Sequence, residues 1–211
     1  MVQKSLTFFR LVLWYKLGSQ GISGKLIKTL RQIYASSKFA IKTSHNRMSG
    51  AIPSHSGVLQ DCQLSPLLFI IFINDIIEFL QDEDCCAPLV AGQPIHALLF
   101  ADDVVLCSQT IDGLQHLLDR LKSYCAKWNL EVNKEKTKIV VFKKGTKAAK
   151  AERWNYSQYN LETVREFKYL GITFSSNGLW KKHIKEGVRK ARTGALQVVK
   201  HLFCYVCMMP L

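Results

Sequence analysis

Residues 97–107 read ALLFADDVVLC, an aliphatic run broken by the adjacent aspartates Asp102 and Asp103. Val-rich arms around a short polar break spell a β-hairpin, and Asp is a good turn residue. The pair still needs a reason, because an unpaired carboxylate among buried residues is costly. Neighbouring side chains in a strand face opposite ways, but at a turn both carboxylates can approach one space. Two readings stay open at this point. One is a solvent-exposed polar turn. The other is a pair of hard oxygen ligands for Mg²⁺, which keeps several waters and needs few protein carboxylates beside substrate phosphates.

The hairpin arms are expected at Ile95–Phe100 and Val104–Cys107. Upstream, Ser23 can cap a helix over Gly24–Ala35, and a short strand is expected at Phe39–Thr43. The apolar run at 67–80, LLFIIFINDIIEFL, reads as one buried helix with Ser65 as N-cap and Pro66 at its first position. It is shorter than a membrane span and carries Asn74, Asp75 and Glu78, so no membrane partner is expected. Downstream, the three-and-four spacing of Ile111, Leu114, Leu117, Leu118, Leu121, Tyr124, Cys125 and Trp128 predicts an amphipathic helix. Strands are expected at Ile139–Phe142 and over 167–174, FKYLGITF, and a basic helical region over 180–207 with Ile184, Val188, Ala191 and Ala195 along one side. Helices, a hairpin, then a helix and a strand suggest an α+β fold around an antiparallel sheet.

Charge narrows the partners. Twenty-nine Lys and Arg against sixteen Asp and Glu give a net charge of +13, and residues 1–60 hold no carboxylate. Seven basic residues and one Glu lie in each of the stretches 134–150 and 181–200. Such an excess favours a polyanionic partner, nucleic acid first. The seven cysteines, at 62, 85, 86, 107, 125, 204 and 207, form no regular framework. Reduced thiols in an intracellular, non-secreted protein are the expectation, nucleus and cytoplasm not being distinguished. The Cys204-x-x-Cys207 pair has no second pair to complete a zinc site. The polar, basic start predicts no cleavable signal peptide.

Set in this frame, LLFADDVVL resembles the Tyr/Phe-x-Asp-Asp box of reverse transcriptases, and GVLQDCQLSPLLF, 57–69, resembles their second palm box. INDII, LKSYCAKWNLEVNKEKTKIVVF, FKYLGITFSSNG and WYKLGSQGISGKLIKTLRQIYASSKFAIK are similar to further segments of non-LTR (LINE-type) retrotransposon polymerases. The resemblance covers roughly residues 13–200 in family order. It implies a polymerase palm-like antiparallel sheet packed on helices over 1–175 and the start of a basic, helical thumb over 176–211. It also implies two-metal nucleotidyl transfer with Mg²⁺ or Mn²⁺, an RNA template, an RNA–DNA or DNA primer duplex and dNTP. By the same resemblance Asp102 and Asp103 are the catalytic metal ligands, and Phe100 packs beneath their turn. Gln60, Ser65, Pro66, Lys136 and Lys138 serve nucleotide or template, with Asn133 in the same box as the lysines. Tyr169, Leu170 and Gly171 form the primer grip.

The pattern fails in two places. The family's first palm box supplies a third carboxylate, and its spacing puts that aspartate near Met1 and a second acid near Thr7, where MVQKSLTFFRLVLWYKL has none. The fingers region and the first palm strand are missing from the match. Asp61 also stands where the family has Gly, an anion beside phosphates. The sequence therefore reads as a truncated or degenerate copy, catalytically defective by itself. The alternative is a non-catalytic nucleic-acid-binding module on a palm scaffold.

Overall fold

The computed structural model describes residues 10–41, 48–53, 57–59, 62–142 and 153–206, without the side chains of 39 and 194–206. Gln60, Asp61, the end of the expected strand at 42–43 and the Cys204/Cys207 side chains lie outside the described residues.

Along the chain, helices α1 (Arg10–Ser19) and α2 (Gly24–Ser36) precede strands β1 (Lys38–Phe39) and β2 (Ile52–Pro53). Helices α3 (Ser65–Ile73) and α4 (Ile76–Leu80) follow, then a 3-10 turn at Glu83–Cys85. Strands β3 (Leu89–Val90), β4 (Gln93–Pro94), β5 (Ala97–Phe100) and β6 (Asp103–Leu106) lead into α5 (Ile111–Trp128). The remainder is β7 (Lys138–Ile139), β8 (Asn155–Tyr156), β9 (Tyr159–Asn160), β10 (Glu162–Thr163), β11 (Glu166–Tyr169), β12 (Ile172–Ser175) and α6 (Lys181–Val206). No described helix is long and apolar enough to cross a membrane.

Helices and mainly antiparallel strands mix as expected, but the described strands form six separate pairs rather than one sheet. Most are local hairpins of two to four residues per strand, and β7 pairs with β10 in parallel. Two compact units result: Met1–Thr137 with Trp154–Leu161, and Lys138–Arg153 with Glu162–Leu211.

The first unit's core gathers Leu13, Trp14 and Leu17 of α1, Leu30 and Tyr34 of α2, and Leu68, Phe69, Phe72 and Ile73 of α3. Trp14 meets Tyr34 edge-on at 5.6 Å. Helix α1 has no N-cap signal and no acidic first turn, and its start is apolar on several sides, so sequence periodicity missed it. Its end follows a Schellman pattern: Ile22 N–H reaches the Leu17 carbonyl and Gly21 N–H the Gly18 carbonyl, each at 3.1 Å, with Gly21 at φ +81°.

The expected single helix over 67–80 is two helices, broken at Asn74–Asp75. Lys16 explains the break. Its Nζ donates to the Phe72 carbonyl and to Asp75 Oδ1, each at 2.7 Å, so a side chain takes a carbonyl that a continuing helix would use. Tyr124 OH donates to the same Asp75 oxygen at 2.6 Å. The ammonium lies 4.7 Å from the Phe72 ring centre, 5.3 Å from Tyr124 and 4.0 Å from Trp128. One cation thereby joins α1, the α3–α4 break and α5.

Candidate functional site

Strands β5 and β6 pair in the register Ala97↔Leu106, Leu98↔Val105, Leu99↔Val104 and Phe100↔Asp103. Branched and aromatic side chains suit this pleated pair, and Cys107 N–H extends it by bonding the His96 carbonyl at 2.9 Å. Only Ala101 and Asp102 remain in the loop, a tighter turn than the expected arms imply. Ala101 takes φ +50°, an uncommon conformation for a non-glycine residue.

The register decides where each aspartate sits. Asp102 is in the turn, half-buried, while Asp103 begins β6 on the face it shares with Phe100 and Val105. Asp103 Oδ1 is buried with no hydrogen-bond partner among the described residues. An orphaned carboxylate oxygen costs free energy unless something supplies positive charge. Phe100 does not pack beneath the turn: its side chain is 58% exposed, as is Leu98 at 48%. Ala97, on the opposite face of β5, is the buried one. Burial of one face leaves Phe100 on the other, because alternation is strict along a strand.

The base of the hairpin is anchored. Ser108 Oγ donates to the Cys85 carbonyl at 2.8 Å, and Gln109 N–H to the Cys86 carbonyl at 2.9 Å. Thr110 caps α5 by accepting from Gly113 N–H at 3.1 Å. Gly113 is required by space: a Cβ there would stand 2.5 Å from the Cys85 carbonyl oxygen and 2.6 Å from Ser108 Oγ. Sequence reading missed this residue, since a glycine in the first turn of a helix carries no signal of its neighbours. Burial raises the pKa of the Cys107 thiol beside the hairpin.

Ser65 and Pro66 open α3, though not as expected. Leu64 holds the capping position without a side-chain bond, and Ser65 is the first helical residue. The Ser65 hydroxyl instead donates to the Leu59 carbonyl at 2.5 Å and lies 3.5 Å from Tyr34 OH. A turn from Cys62 to Ser65 brings the chain into the helix, which frees the hydroxyl to hold the preceding segment. Arg10 braces the same segment through the Gly57 carbonyl at 2.9 Å.

Lys136 is exposed, in a turn organised by Asn133, whose Oδ1 accepts from Lys136 N–H at 3.1 Å. Lys138, in the second unit, pairs with Glu162 Oε2 at 2.7 Å across the parallel strands. Tyr169, Leu170 and Gly171 form the tip of the β11–β12 hairpin. Leu170 at φ +48° and Gly171 at φ +84° give both loop residues the positive φ of a type I′ turn. The run at 167–174 is thus two strands and a turn, and Gly171 supplies the bend at no steric cost. These three residues form a group of their own in the second unit.

The donor chemistry at the aspartates fits a hard cation in part. Asp102 and Asp103 offer oxygen atoms, one of them orphaned, of the kind Mg²⁺ takes beside water and phosphate. Among the described residues no group of three or more His, Cys, Asp or Glu could hold a metal. Two carboxylates can hold one ion with substrate oxygens, but nothing described completes a bridging set.

A family described as "Reverse transcriptase (RNA-dependent DNA polymerase)" matches residues 13–174 of the chain. The RNA-directed DNA polymerase from mobile element jockey of Drosophila funebris is 26% identical over 178 residues, 82% of this chain and 19% of that protein. The probable RNA-directed DNA polymerase from transposon BS of Drosophila melanogaster is 30% identical over 154 residues, 68% of this chain and 16% of that protein. The retrovirus-related Pol polyprotein from a type-1 retrotransposable element R2 of Nasonia vitripennis is 28% identical over 69% of this chain and 15% of its own length. The chain thus spans less than a fifth of these three relatives.

Proposed function

Because the chain belongs to the reverse transcriptase family, in its non-LTR retrotransposon branch, we propose that it is the palm and thumb-start portion of an RNA-directed DNA polymerase. The observation that carries this reading is the orphaned, buried Asp103 oxygen beside Asp102 on a two-residue turn. The palm portion is residues 1–175, and the thumb-like portion 176–211. Asp102 and Asp103 would hold Mg²⁺ or Mn²⁺. When bound, the metal supplies charge neutralisation on the phosphates and activation of a primer hydroxyl.

The chain's own groups prepare that site. The α5 cap and the Ser108–Cys85 bond fix the base of the hairpin, so the two carboxylates are held by rigid elements. Exposed Phe100 offers an apolar surface beside them for nucleotide or template. Lys136 contributes positive charge for phosphate, whereas Lys138 must first give up Glu162. Gln60, Ser65 and Pro66 serve the template, with the Ser65 hydroxyl acting through the 57–59 segment that it holds. Tyr169, Leu170 and Gly171 present a hairpin tip to the primer.

No carboxylate occurs in residues 1–60 to bridge metal opposite Asp102 and Asp103, so the chain alone is catalytically defective. Incubation with primed RNA template, dNTP and Mg²⁺ is expected to give no primer extension. Extension abolished by Asp102→Asn would overturn that statement. The +13 charge supports a second reading, a non-catalytic module that binds template–primer duplex through its basic surfaces. Binding that weakens linearly in a log–log plot against salt, and ignores Mg²⁺ and Asp102→Asn, selects this reading.

A further inference from the structure

Among the described residues, β11 and β12 pair only with each other, so the outer edge of β12 has no strand beside it. Around a two-residue loop the closing pair, Tyr169 and Ile172, exchanges the ladder bonds, and the next pair, Lys168 and Thr173, does not. The Thr173 N–H therefore points away from β11. Thr173 is also buried, where a donor left without an acceptor is costly.

Helix α6 supplies the acceptor. Thr173 N–H donates to His183 Nδ1 at 3.4 Å, and Thr173 Oγ1 donates to Glu186 Oε2 at 3.1 Å. His183 and Glu186 are three residues apart and share one face of the helix. Trp180, just before the helix, packs on Phe174 at 5.6 Å and meets His183 edge-on at 6.4 Å. Lys182 pairs with Glu166. An imidazole accepts at Nδ1 only while that nitrogen carries no proton, so His183 in this joint is neutral and holds its proton on Nε2. Exposed Lys185, Arg189, Lys190 and Arg192 follow on the same helix, so the joint fixes where these cations stand relative to the tip at Tyr169, Leu170 and Gly171.

We propose that His183 and Glu186 are positioning residues for a template–primer duplex, acting through Thr173 to hold the cations of α6 in register with the hairpin tip. This rests on the reading of tip and helix as the elements that grip the duplex. It also gives the pH dependence a sign. A proton on His183 Nδ1 sets donor against donor, and the imidazolium draws the Glu186 carboxylate away from Thr173. The other charges at the joint are Lys182 and Glu166, which satisfy each other, and Lys168, which stands opposite Thr173 and repels an imidazolium. Charge alone predicts the reverse, because a further cation on a basic helix tightens its hold on phosphates. Weaker binding in acid thus separates a positioning role from an electrostatic one.

The test follows binding of a fluorescent RNA–DNA duplex to the full chain by anisotropy at fixed salt. Affinity is expected to fall about tenfold from about pH 7.5 to about pH 5.5, the range in which imidazoles gain charge. His183→Asn puts an amide oxygen in the place of Nδ1 without a titrating group. It should bind at both pH values and about tenfold more tightly than the wild type at the lower one, a gain that unfolding cannot produce. His183→Leu should bind weakly at both. In the ¹⁵N spectrum of the wild type, the neutral His183 ring should carry its proton on Nε2. Affinity that holds or rises in acid, a ring protonated on Nδ1, or full binding by His183→Leu overturns the proposal and leaves the duplex reading standing. A wild type that binds no duplex at either pH overturns both.

Discussion

At Lys16 an ammonium sits among Phe72, Tyr124 and Trp128 with Asp75 to balance it. Burial lowers its pKa and the Asp75 bond partly restores it. Removing one member leaves the other with an unmet charge. Asp75 is 43% exposed, so water softens that penalty, and Asp75→Asn or Lys16→Met should each cost about 1–3 kcal/mol in urea unfolding. The double variant should cost less than the two losses added, which a double-mutant cycle reads directly. Gly113 is the opposite kind of residue, essential for what it lacks. Alanine there gains about 1 kcal/mol of helix propensity but drives a methyl into the Cys85 carbonyl. The clash wins, and Gly113→Ala should lower the denaturation free energy by about 1–3 kcal/mol. Neither residue announces itself in the sequence, because each acts on neighbours that are distant along the chain.

Helix α5 was legible to the residue. Its apolar spacing is regular, Thr110 caps it, and Asn129 ends it in the left-handed region at φ +51°. Helix α1 was illegible because an apolar run without caps does not distinguish faces, and the α3–α4 break hid because Lys16, its cause, lies 56 residues upstream of Phe72. The aspartate hairpin was legible as an element and misjudged in detail. A two-residue loop places Asp103 in a strand and turns Phe100 outward, and only the register reveals this. The turn carries a cost at Ala101, whose φ of +50° suits glycine better. Ala101→Gly should therefore change stability favourably by about 0.5–1 kcal/mol, seen as a higher denaturation midpoint, unless freedom gained by the unfolded chain cancels it. A drop in midpoint would show that the strain at Ala101 is smaller than the entropy glycine adds to the unfolded chain.

The whole molecule should be sensitive to alkali. Burial pushes the Cys125 thiol up from 9.0 to about 11, and raises the pKa of the Tyr124 and Tyr156 phenols. In each case the folded state keeps a proton that the unfolded chain releases. Stability is thus level below pH 9.0 and falls through about 11, by up to about 1.4 kcal/mol per pH unit for each group. Lys16 acts in the other direction, adding stability as pH rises toward 10.5, but it is one group against these three and the Cys107 thiol, which burial also raises. Thermal unfolding followed from pH 8 to 11 should show a falling midpoint, with a shallower slope in Cys125→Ala.

The path of the chain has a last consequence. It leaves the first unit after Thr137, returns for Trp154–Leu161, and leaves again at Glu162. The returning segment is structural, since Trp154 Nε1 donates to the Ile111 carbonyl at 3.1 Å, Asn155 N–H donates to Gln115 Oε1 and Gln115 Nε2 donates to the Asn155 carbonyl, each of the last two at 2.9 Å. The two units are therefore stitched rather than strung. No continuous fragment holds all of the first without part of the second, and a ribosome must deliver residue 161 before the first can close.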